Sequence, residues 1–284
     1  MRITSSLLQK IVRFDLKTEL LSSKDLTKGW DHRVFLLNTK KGKFVIRLPR
    51  KDLNKIRVQA WACRQWAKKG VPVPHPIVEK PDYLIETYIA GKNAKKLIPS
   101  QRKRYHVQLA KCLKKMHSVK MTGFGVLNSF FIGNSRSWYD CMAEILADLD
   151  VCVHDKKLTA GEAEVIRNEA SSCIPYFKNY MTPVLLHGDL YRDNTMIFKG
   201  NLSGIIDAAD AFSGDPLYDF GVIYSEEFDW EVILWMEQAY GPLDRHLIWT
   251  YALLISVWLL RLVDKPMMVR GIQRRIRDLL QKRF

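Results

Sequence analysis

The sequence predicts an α+β protein of two lobes, a small β-rich N-terminal lobe and a larger, mostly helical C-terminal lobe. Short β-branched and aromatic runs dominate the first 90 residues, an extended segment broken by glycine follows, and helical apolar repeats fill most of the remainder. The 284 residues can bury a large core in one domain or in two closely packed lobes. We expect the lobes to span residues 1–90 and 91–284, with a hinge near 84–91.

The N-terminal lobe is predicted from a hairpin, a helix and a further strand. Val34–Leu37 and Phe44–Leu48 flank a polar turn at residues 38–43, which is typical of a β-hairpin. Apolar residues from Leu53 to Ala67 recur in steps of three and four, as on one face of a helix. Tyr83–Ile89 reads as a strand that ends before Gly91.

The C-terminal lobe is predicted to be helical, with a short β region in its middle. A strand at Val184–Leu186 precedes a hairpin that ends at Ile206, and the chain after the hairpin is expected to be mainly helical. The helices predicted before this β region are Gln101–His117, Trp138–Leu149 and Glu162–Ala170.

Charge is unevenly distributed along the chain, whose formal net charge is +15. Residues 140–244 are acidic overall, while the chain on either side is basic. A basic lobe suits a nucleoside triphosphate, and an acidic lobe suits a cationic second substrate. Lys92–Arg104 and Arg270–Arg283 leave a nucleic-acid binder open as an alternative. The sequence contains no zinc knuckle, RNA-recognition aromatic motif or glycine-arginine repeat, so we expect no specific nucleic-acid partner.

Neither a secretory signal nor a membrane span is predicted. The first 20 residues include Asp15 and Glu19 and lack a continuous apolar core, and the apolar run at Tyr251–Leu260 is too short to cross a bilayer. Five scattered cysteines form no CxxC pair, which favours reduced thiols. We therefore expect a cytoplasmic protein that does not bind a membrane.

The strongest chemical signal is the segment H-G-D-x-x-x-x-N, which contains Asp189 and Asn194 and is followed by a predicted hairpin and Asp207. Transfer of a phosphoryl group requires a carboxylate at the attacking hydroxyl and oxygen ligands that hold Mg²⁺ against the phosphates. Asp189 is predicted to be the catalytic residue, and Asn194 and Asp207 are predicted to be the metal ligands. The competing interpretation is an aspartate-rich loop that only caps turns.

This segment and the stretch G-I-I-D-A-A-D-A-F-S-G-D-P-L-Y-D-F-G at 204–221 resemble the aminoglycoside phosphotransferase and choline kinase-like superfamily, which is related to the protein kinases. The resemblance covers nearly the whole chain and implies a protein-kinase-like fold, ATP or GTP as phosphoryl donor, and Mg²⁺. The chain has Gly188 instead of the arginine of H-R-D, Ala208 after Asp207, and no evident A-P-E. These differences favour a small-molecule acceptor over a protein.

Two positions depart from the usual kinase pattern. Arg47 stands in the predicted third strand where kinases have a lysine that binds phosphates, and Gln59 stands where a helix glutamate is expected. Hygromycin and macrolide kinases look similar here, and the macrolide branch shares the R-x-P-R pattern of residues 47–50. An arginine can bind two phosphate oxygens, but these changes leave an inactive pseudokinase open. A solvent-facing Arg47 is a further alternative.

Other nucleotide contacts follow from the resemblance. The predicted strand that contains Glu86 and Tyr88 runs into the hinge that binds the base. The turn at Gly29 resembles the loop that covers the phosphates, although it has a single glycine, and a plain β-turn is the alternative. His117 and Asp215 are interpreted as structural, and Asp219 is expected to brace the catalytic loop.

The acidic stretch motivates a cationic acceptor, with Asp210, Glu226, Glu227 and Asp229 as candidate binding residues. An aminoglycoside-type or other antibiotic fits this expectation, and an amino-alcohol or sugar metabolite is the alternative. The sequence does not determine the acceptor, the hydroxyl that is phosphorylated or the oligomeric state.

Overall fold

A computed structural model describes residues 4–27, 32–50 and 52–282 of the chain. The helices are α1 Ser5–Asp15, α2 Asn54–Lys68, α3 Arg102–Met116, α4 Trp138–His154, α5 Ala160–Ser172, α6 Ile174–Asn179, α7 Leu217–Glu227, α8 Trp230–Tyr240, α9 Arg245–Leu262 and α10 Pro266–Gln281. The strands are β1 Leu20–Asp25, β2 His32–Thr39, β3 Gly42–Pro49, β4 Pro76–Lys80, β5 Tyr83–Thr87, β6 Lys92–Asn93, β7 Phe124–Leu127, β8 Gly133–Ser135, β9 Val184–Leu186, β10 Thr195–Phe198, β11 Asn201–Ile205 and β12 Phe212–Gly214. This mixture confirms the predicted α+β class.

The N-terminal part of the chain forms an antiparallel sheet in the order β1-β2-β3-β5-β4. The predicted hairpin is confirmed, since β2 and β3 pair along their whole lengths. Helix α1, which the sequence analysis did not predict, buries Leu8, Ile11 and Val12 with Leu37 and Ile46 of the sheet. An apolar cluster that covers one face of the sheet is thereby completed.

Helix α2 was predicted to have one apolar face, but it buries two. Ile56 and Ala60 join Leu84 of the sheet in a small cluster. Val58 and Trp66 instead belong to the large core of the C-terminal part. A helix buried on two sides is fixed against both neighbours, so α2 links the sheet to the core that contains Leu190, in the loop after β9.

Helices α3 to α10 surround the large core, and most of α9 is buried in it. A buried polar chain crosses this core: the Trp138 indole donates to the Tyr251 hydroxyl at 2.7 Å, and that hydroxyl donates to Asp215 at 2.6 Å. Asp215 also accepts from the amide of Leu217 at the start of α7. The structural interpretation of Asp215 therefore agrees with its contacts.

In the described part of the chain, no single helix is long and apolar enough to cross a membrane. By length and composition alone, helices α8 and α9 together could cross a membrane, but the pair is bent by 119°.

Two small sheets position the functional loops. Strand β10 pairs with both β11 and β6, and β12 pairs with β9 and β7. The loop between β9 and β10 consequently lies close to the segment that follows β11. The division into lobes at residue 90 remains an interpretation, because α2 contacts both parts.

Candidate active site

The loop that contains H-G-D is held by a buried carboxylate. Asp219 of α7 accepts hydrogen bonds from the amides of His187 and Gly188, at 3.0 and 2.9 Å. His117 contacts the same carboxylate at 3.1 Å. The His187 ring donates from Nε2 to the Ile206 carbonyl at 3.0 Å, which ties the loop to the segment before Asp207. Asp219 therefore braces the loop, as its position in the sequence predicted.

Gly188 occupies a position where a side chain does not fit. Its φ is +79°, and a Cβ atom would lie 2.7 Å from the Asp210 carbonyl oxygen and 2.9 Å from the Phe212 ring. Glycine adopts this backbone region without strain. The departure from H-R-D thus allows the segment at residues 210–212 to approach the loop closely.

Asp189 follows this turn and is fixed by Asn194. The Asn194 side-chain amide donates to both the carbonyl oxygen and the carboxylate of Asp189, each at 2.7 Å. Burial, followed by the charges of Asp210 and Asp207, raises the pKa of Asp189 to about 7. The carboxylate is therefore positioned and poised to exchange a proton near neutral pH.

Asp207 comes directly after the β10–β11 hairpin in the left-handed region, with φ of 66°. Its carboxylate accepts from Arg47 at 2.9 Å. Burial alone would raise the pKa of Asp207, but Arg47, His187 and His32 hold it below its usual value. The carboxylate thus remains charged, which suits a cation or the counter-charge of Arg47.

A divalent cation fits these residues. Both side-chain N–H contacts of Asn194 are directed at Asp189, which leaves its Oδ1 available as a ligand, and the residue lines the cleft together with Asp207. This amide oxygen and the Asp207 carboxylate are hard oxygen ligands of the kind that Mg²⁺ prefers. Mg²⁺ takes few ligands from protein when phosphates supply the others. The prediction that Asn194 and Asp207 bind a metal stays a prediction.

Arg47 forms a buried ion pair with Glu86. Its Nε lies 2.7 Å from Glu86 Oε1, and the two residues are 5% and 1% exposed. Gln59 of α2 donates to the other Glu86 oxygen at 2.9 Å. The alternative of a solvent-facing Arg47 is wrong, because β3 points this side chain into the interior. The carboxylate expected on the helix is supplied here by β5.

A cleft of about 850 Å³ lies between the sheet and the helical part. Arg47, Asp189, Asn194 and Asp207 line it together, so the structure brings the main predicted residues into one site. The predicted nucleotide residues Glu86 and Tyr88 also line the cleft. Glu86 directs its carboxylate to Arg47 and Gln59. Gly29 lies outside the described residues.

The acidic residues predicted to bind the acceptor are largely paired with cations. Asp210 accepts from Lys55 at 2.8 Å, and Arg102 binds both Glu227 and Asp229 at 2.7 Å. Glu227 is consequently buried in a charged cluster. Its predicted contact with an acceptor stays a prediction. Asp229 also caps the start of α8.

Glu226 is the member of this acidic group that lines the cleft. One of its oxygens accepts from the Arg192 amide at 2.8 Å. Its neighbour Glu227 contacts His106, which is only 1% exposed because α3 turns this ring toward α8. The negative charge facing the cleft is therefore smaller than the sequence predicted.

The wall formed by α9, α10 and the turn between them was not predicted from the sequence. Apolar residues and one cation of this segment line the cleft beside the loop that contains Asp189: Leu259, Val263, Met268, Ile272 and Arg275. Arg275 donates to the Tyr191 hydroxyl at 3.1 Å. The strongly amphipathic pattern of residues 266–281 was a usable signal, but the sequence does not show which face meets the catalytic loop.

The family follows from comparison with known proteins. A model of the phosphotransferase enzyme family matches residues 23–252, and the chain belongs to this family. It is a phosphotransferase with an alcohol group as acceptor, as predicted. Homoserine kinase from Neisseria meningitidis serogroup B is 23% identical over 245 residues, which cover 81% of this chain and 71% of that protein.

Solved structures share the fold at low sequence identity. A thermostable mutant of the aminoglycoside phosphotransferase APH(4)-Ia with ADP and hygromycin B has a TM-score of 0.78 and 18% identity, covering 97% of this chain and 98% of that chain. The macrolide 2′-phosphotransferase MphH from Brachybacterium faecium has a TM-score of 0.71 and 16% identity, with 96% and 98% coverage. These matches confirm the protein-kinase-like fold.

Proposed function

We propose that this protein transfers the γ-phosphoryl group of ATP or GTP to a hydroxyl of a small-molecule acceptor, with Mg²⁺ bound by Asn194 and Asp207. The observation that carries the proposal is the convergence of Asp189, Asn194, Asp207 and Arg47 on one cleft. Phosphoryl transfer depends mainly on positioning and on neutralisation of charge, and this set supplies a carboxylate, oxygen ligands and a cation.

We assign Asp189 to the orientation and deprotonation of the acceptor hydroxyl. Its carboxylate orients the hydroxyl and takes its proton while the hydroxyl oxygen forms a bond to the γ-phosphorus and the bond to the β-phosphate oxygen breaks. Asn194 keeps the carboxylate in place through its amide. Bound Mg²⁺ would neutralise phosphate charge.

We assign Arg47 to the binding of the nucleotide phosphates. Its ion pair with Glu86 fixes the guanidinium, and a fixed guanidinium can donate two parallel hydrogen bonds to phosphate oxygens. Val34 and Val45 of the sheet line the same end of the cleft and offer apolar surface to a base. Tyr88, on the segment after β5, lies where the chain leaves the sheet.

Two acceptor classes remain in the proposal. An aminoglycoside-type or other antibiotic is supported by the fold matches and by Glu226 and Asp189, which present negative charge to the cleft. An amino-alcohol metabolite is supported by the homoserine kinase relative and by the compact apolar wall of α9 and α10.

The test measures nucleotide turnover with ATP and GTP, with and without Mg²⁺, against aminoglycosides, macrolides, amino-alcohols and sugars. We expect turnover stimulated by at least one acceptor and reduced by about 10²–10⁴-fold in Asp189→Ala. Asp264→Ala, which changes an exposed aspartate, is the matched control. A folded protein that binds nucleotide but phosphorylates no acceptor would support the pseudokinase.

The cationic acceptor has its own test at Glu226. Neutralising it in Glu226→Gln should raise KM for a cationic acceptor and leave the nucleotide KM unchanged, because this carboxylate lines the cleft and is assigned to the acceptor. Glu227→Gln is the comparison, since Glu227 is bound by Arg102. An unchanged KM for the acceptor in Glu226→Gln would contradict the binding of a cationic acceptor by Glu226.

A further inference from the structure

The end of the cleft beside the catalytic loop carries a cation on an otherwise apolar wall. Leu259, Val263 and Ile272 supply apolar surface, and Arg275 of α10 lies next to them. Tyr191 and Asp189 complete this end from the catalytic loop. A few charged groups beside an apolar wall fix the orientation of a bound small molecule.

Arg275 differs from its neighbours on α10 in its partners. Arg274 contacts Asp278, and Arg277 contacts Glu162, both on the outer surface of the helix. Over residues 4–27, 32–50 and 52–282, Arg275 makes no ion pair with a carboxylate. It donates to the Tyr191 hydroxyl, and its guanidinium lies 5.4 Å from the centre of the Tyr191 ring.

These contacts hold the guanidinium in a defined orientation and use few of its donors. Arginine has five N–H donors in a planar fork that matches a carboxylate. The stacked tyrosine restricts the fork, which reduces the entropy lost on binding an anion. Arg275 is therefore suited to a planar anionic group that enters the cleft.

The same tyrosine relates Arg275 to the catalytic carboxylate. Tyr191 is two residues after Asp189, and its amide donates to the Asp189 carbonyl at 2.9 Å. Asp189 and Arg275 both line the cleft, and both contact Tyr191. This connection favours a small acceptor with a hydroxyl at Asp189 and an anion at Arg275.

We propose that Arg275 binds a carboxylate of the acceptor, and that the acceptor is a small hydroxylated carboxylic acid, including hydroxy amino acids. This inference rests on the proposed function and names the acceptor class of that site. An amino group on such an acceptor would be compatible with Glu226, which also lines the cleft.

The experiment compares homoserine, 4-hydroxybutyrate and 3-aminopropan-1-ol as acceptors for the parent protein and for Arg275→Gln. 3-Aminopropan-1-ol is homoserine without its carboxylate, and 4-hydroxybutyrate is homoserine without its amino group. Arg274→Gln is the matched control, because Arg274 is exposed at the outer face of the same helix. The protein should prefer the two acids.

In Arg275→Gln we expect KM for the acids to rise by about 10- to 100-fold, the loss of one charge-assisted contact. KM for 3-aminopropan-1-ol and for ATP should stay within about 2-fold. Equal effects on acid and amine acceptors, or a raised ATP KM, would overturn the assignment. A raised KM for ATP would place Arg275 at the nucleotide phosphates.

Calorimetry separates this inference from the proposed kinase activity. Arg275-dependent binding of the acids without turnover would retain the carboxylate site and reject the kinase. Turnover of acceptors that lack a carboxylate, with no preference for acids, would retain the kinase and reject the site. Failure of every acid to bind would also reject the site.

Discussion

Arg47 and Glu86 form a buried ion pair between two adjacent strands, with 2.7 Å between the guanidinium Nε and the carboxylate. Burial would lower the pKa of Arg47, but Glu86 and Asp207 raise it above its usual value. The Arg47 guanidinium is thus fixed by the sheet itself, and Gln59 of α2 donates a neutral hydrogen bond to Glu86. The helix does not need to move to form this pair.

Removal of Glu86 should strongly destabilise the protein. Glu86→Ala leaves a buried guanidinium without its main partner, and we expect a loss of about 3–5 kcal/mol in the free energy of unfolding. Urea denaturation measures this loss. Glu79→Ala is the control, because its pair with Arg64 is partly exposed and should contribute no more than about 1 kcal/mol.

The double variant Arg47→Met/Glu86→Leu should recover most of that stability, since apolar residues of similar size replace the buried charges. It should also lose nucleotide affinity, as measured by calorimetry. Retained affinity in this variant would show that Arg47 does not bind the phosphates.

Introducing the glutamate that kinases have on the helix should harm this protein. Gln59→Glu places a second carboxylate 2.9 Å from the Glu86 oxygen, where Gln59 now donates. The repulsion raises the pKa of the new carboxyl, so stability is present at low pH and is lost as pH rises through that pKa. We expect a loss of about 2 kcal/mol at pH 8 relative to pH 5.

Urea denaturation at both pH values tests this prediction. Gln59→Met is the control, because it removes the hydrogen bond without adding a titratable group, and its cost should be the same at both pH values. A Gln59→Glu variant as stable as the parent at pH 8 would mean that Glu86 can turn away from α2.

Glu227 should make stability depend on acid pH. Burial would raise its pKa, but His106, Arg102 and Arg192 hold the pKa at about 2, below its ordinary value of 4.5. Its contribution is therefore full above about pH 4.5 and is lost as pH falls toward 2. The shift corresponds to about 3 kcal/mol at most.

Chemical denaturation between pH 6 and pH 2.5 measures this contribution. Glu227→Gln should be less stable at pH 6 and should lose less stability on acidification than the parent protein. Glu164→Gln, at an exposed position on α5, should follow the parent curve. Identical acid profiles for Glu227→Gln and the parent would rule out the depressed pKa.

Gly271 lies inside α10, and a Cβ atom there would meet no atom within 4 Å. Gly271→Ala should therefore raise the free energy of unfolding by about 0.5–1 kcal/mol, because alanine loses less backbone entropy in a helix. Thermal denaturation measures the gain. Gly161→Ala in the first turn of α5 is the comparison, and a smaller gain is expected there. A loss of stability at residue 271 would contradict a continuous α10.

Local patterns in the sequence were sufficient for most of the strands and helices. The β2–β3 hairpin and helix α3 were predicted from periodicity and turn residues, which act over a few neighbouring positions. Helix α1 was missed because its short amphipathic pattern gains stability by covering the sheet, and that sheet lies later in the chain.

The sequence by itself determined the family, whose model matches residues 23–252, and it placed Asp189 and Asn194 in one loop with Asp207 after the following hairpin. Tertiary structure alone decided the roles that depend on distant partners. The folded structure pairs Glu86 with Arg47 and Glu227 with Arg102. It also places α10 along the cleft. The charge partner of a residue and the walls of a cavity depend on how elements far apart in the chain pack together. A local sequence pattern does not show that packing.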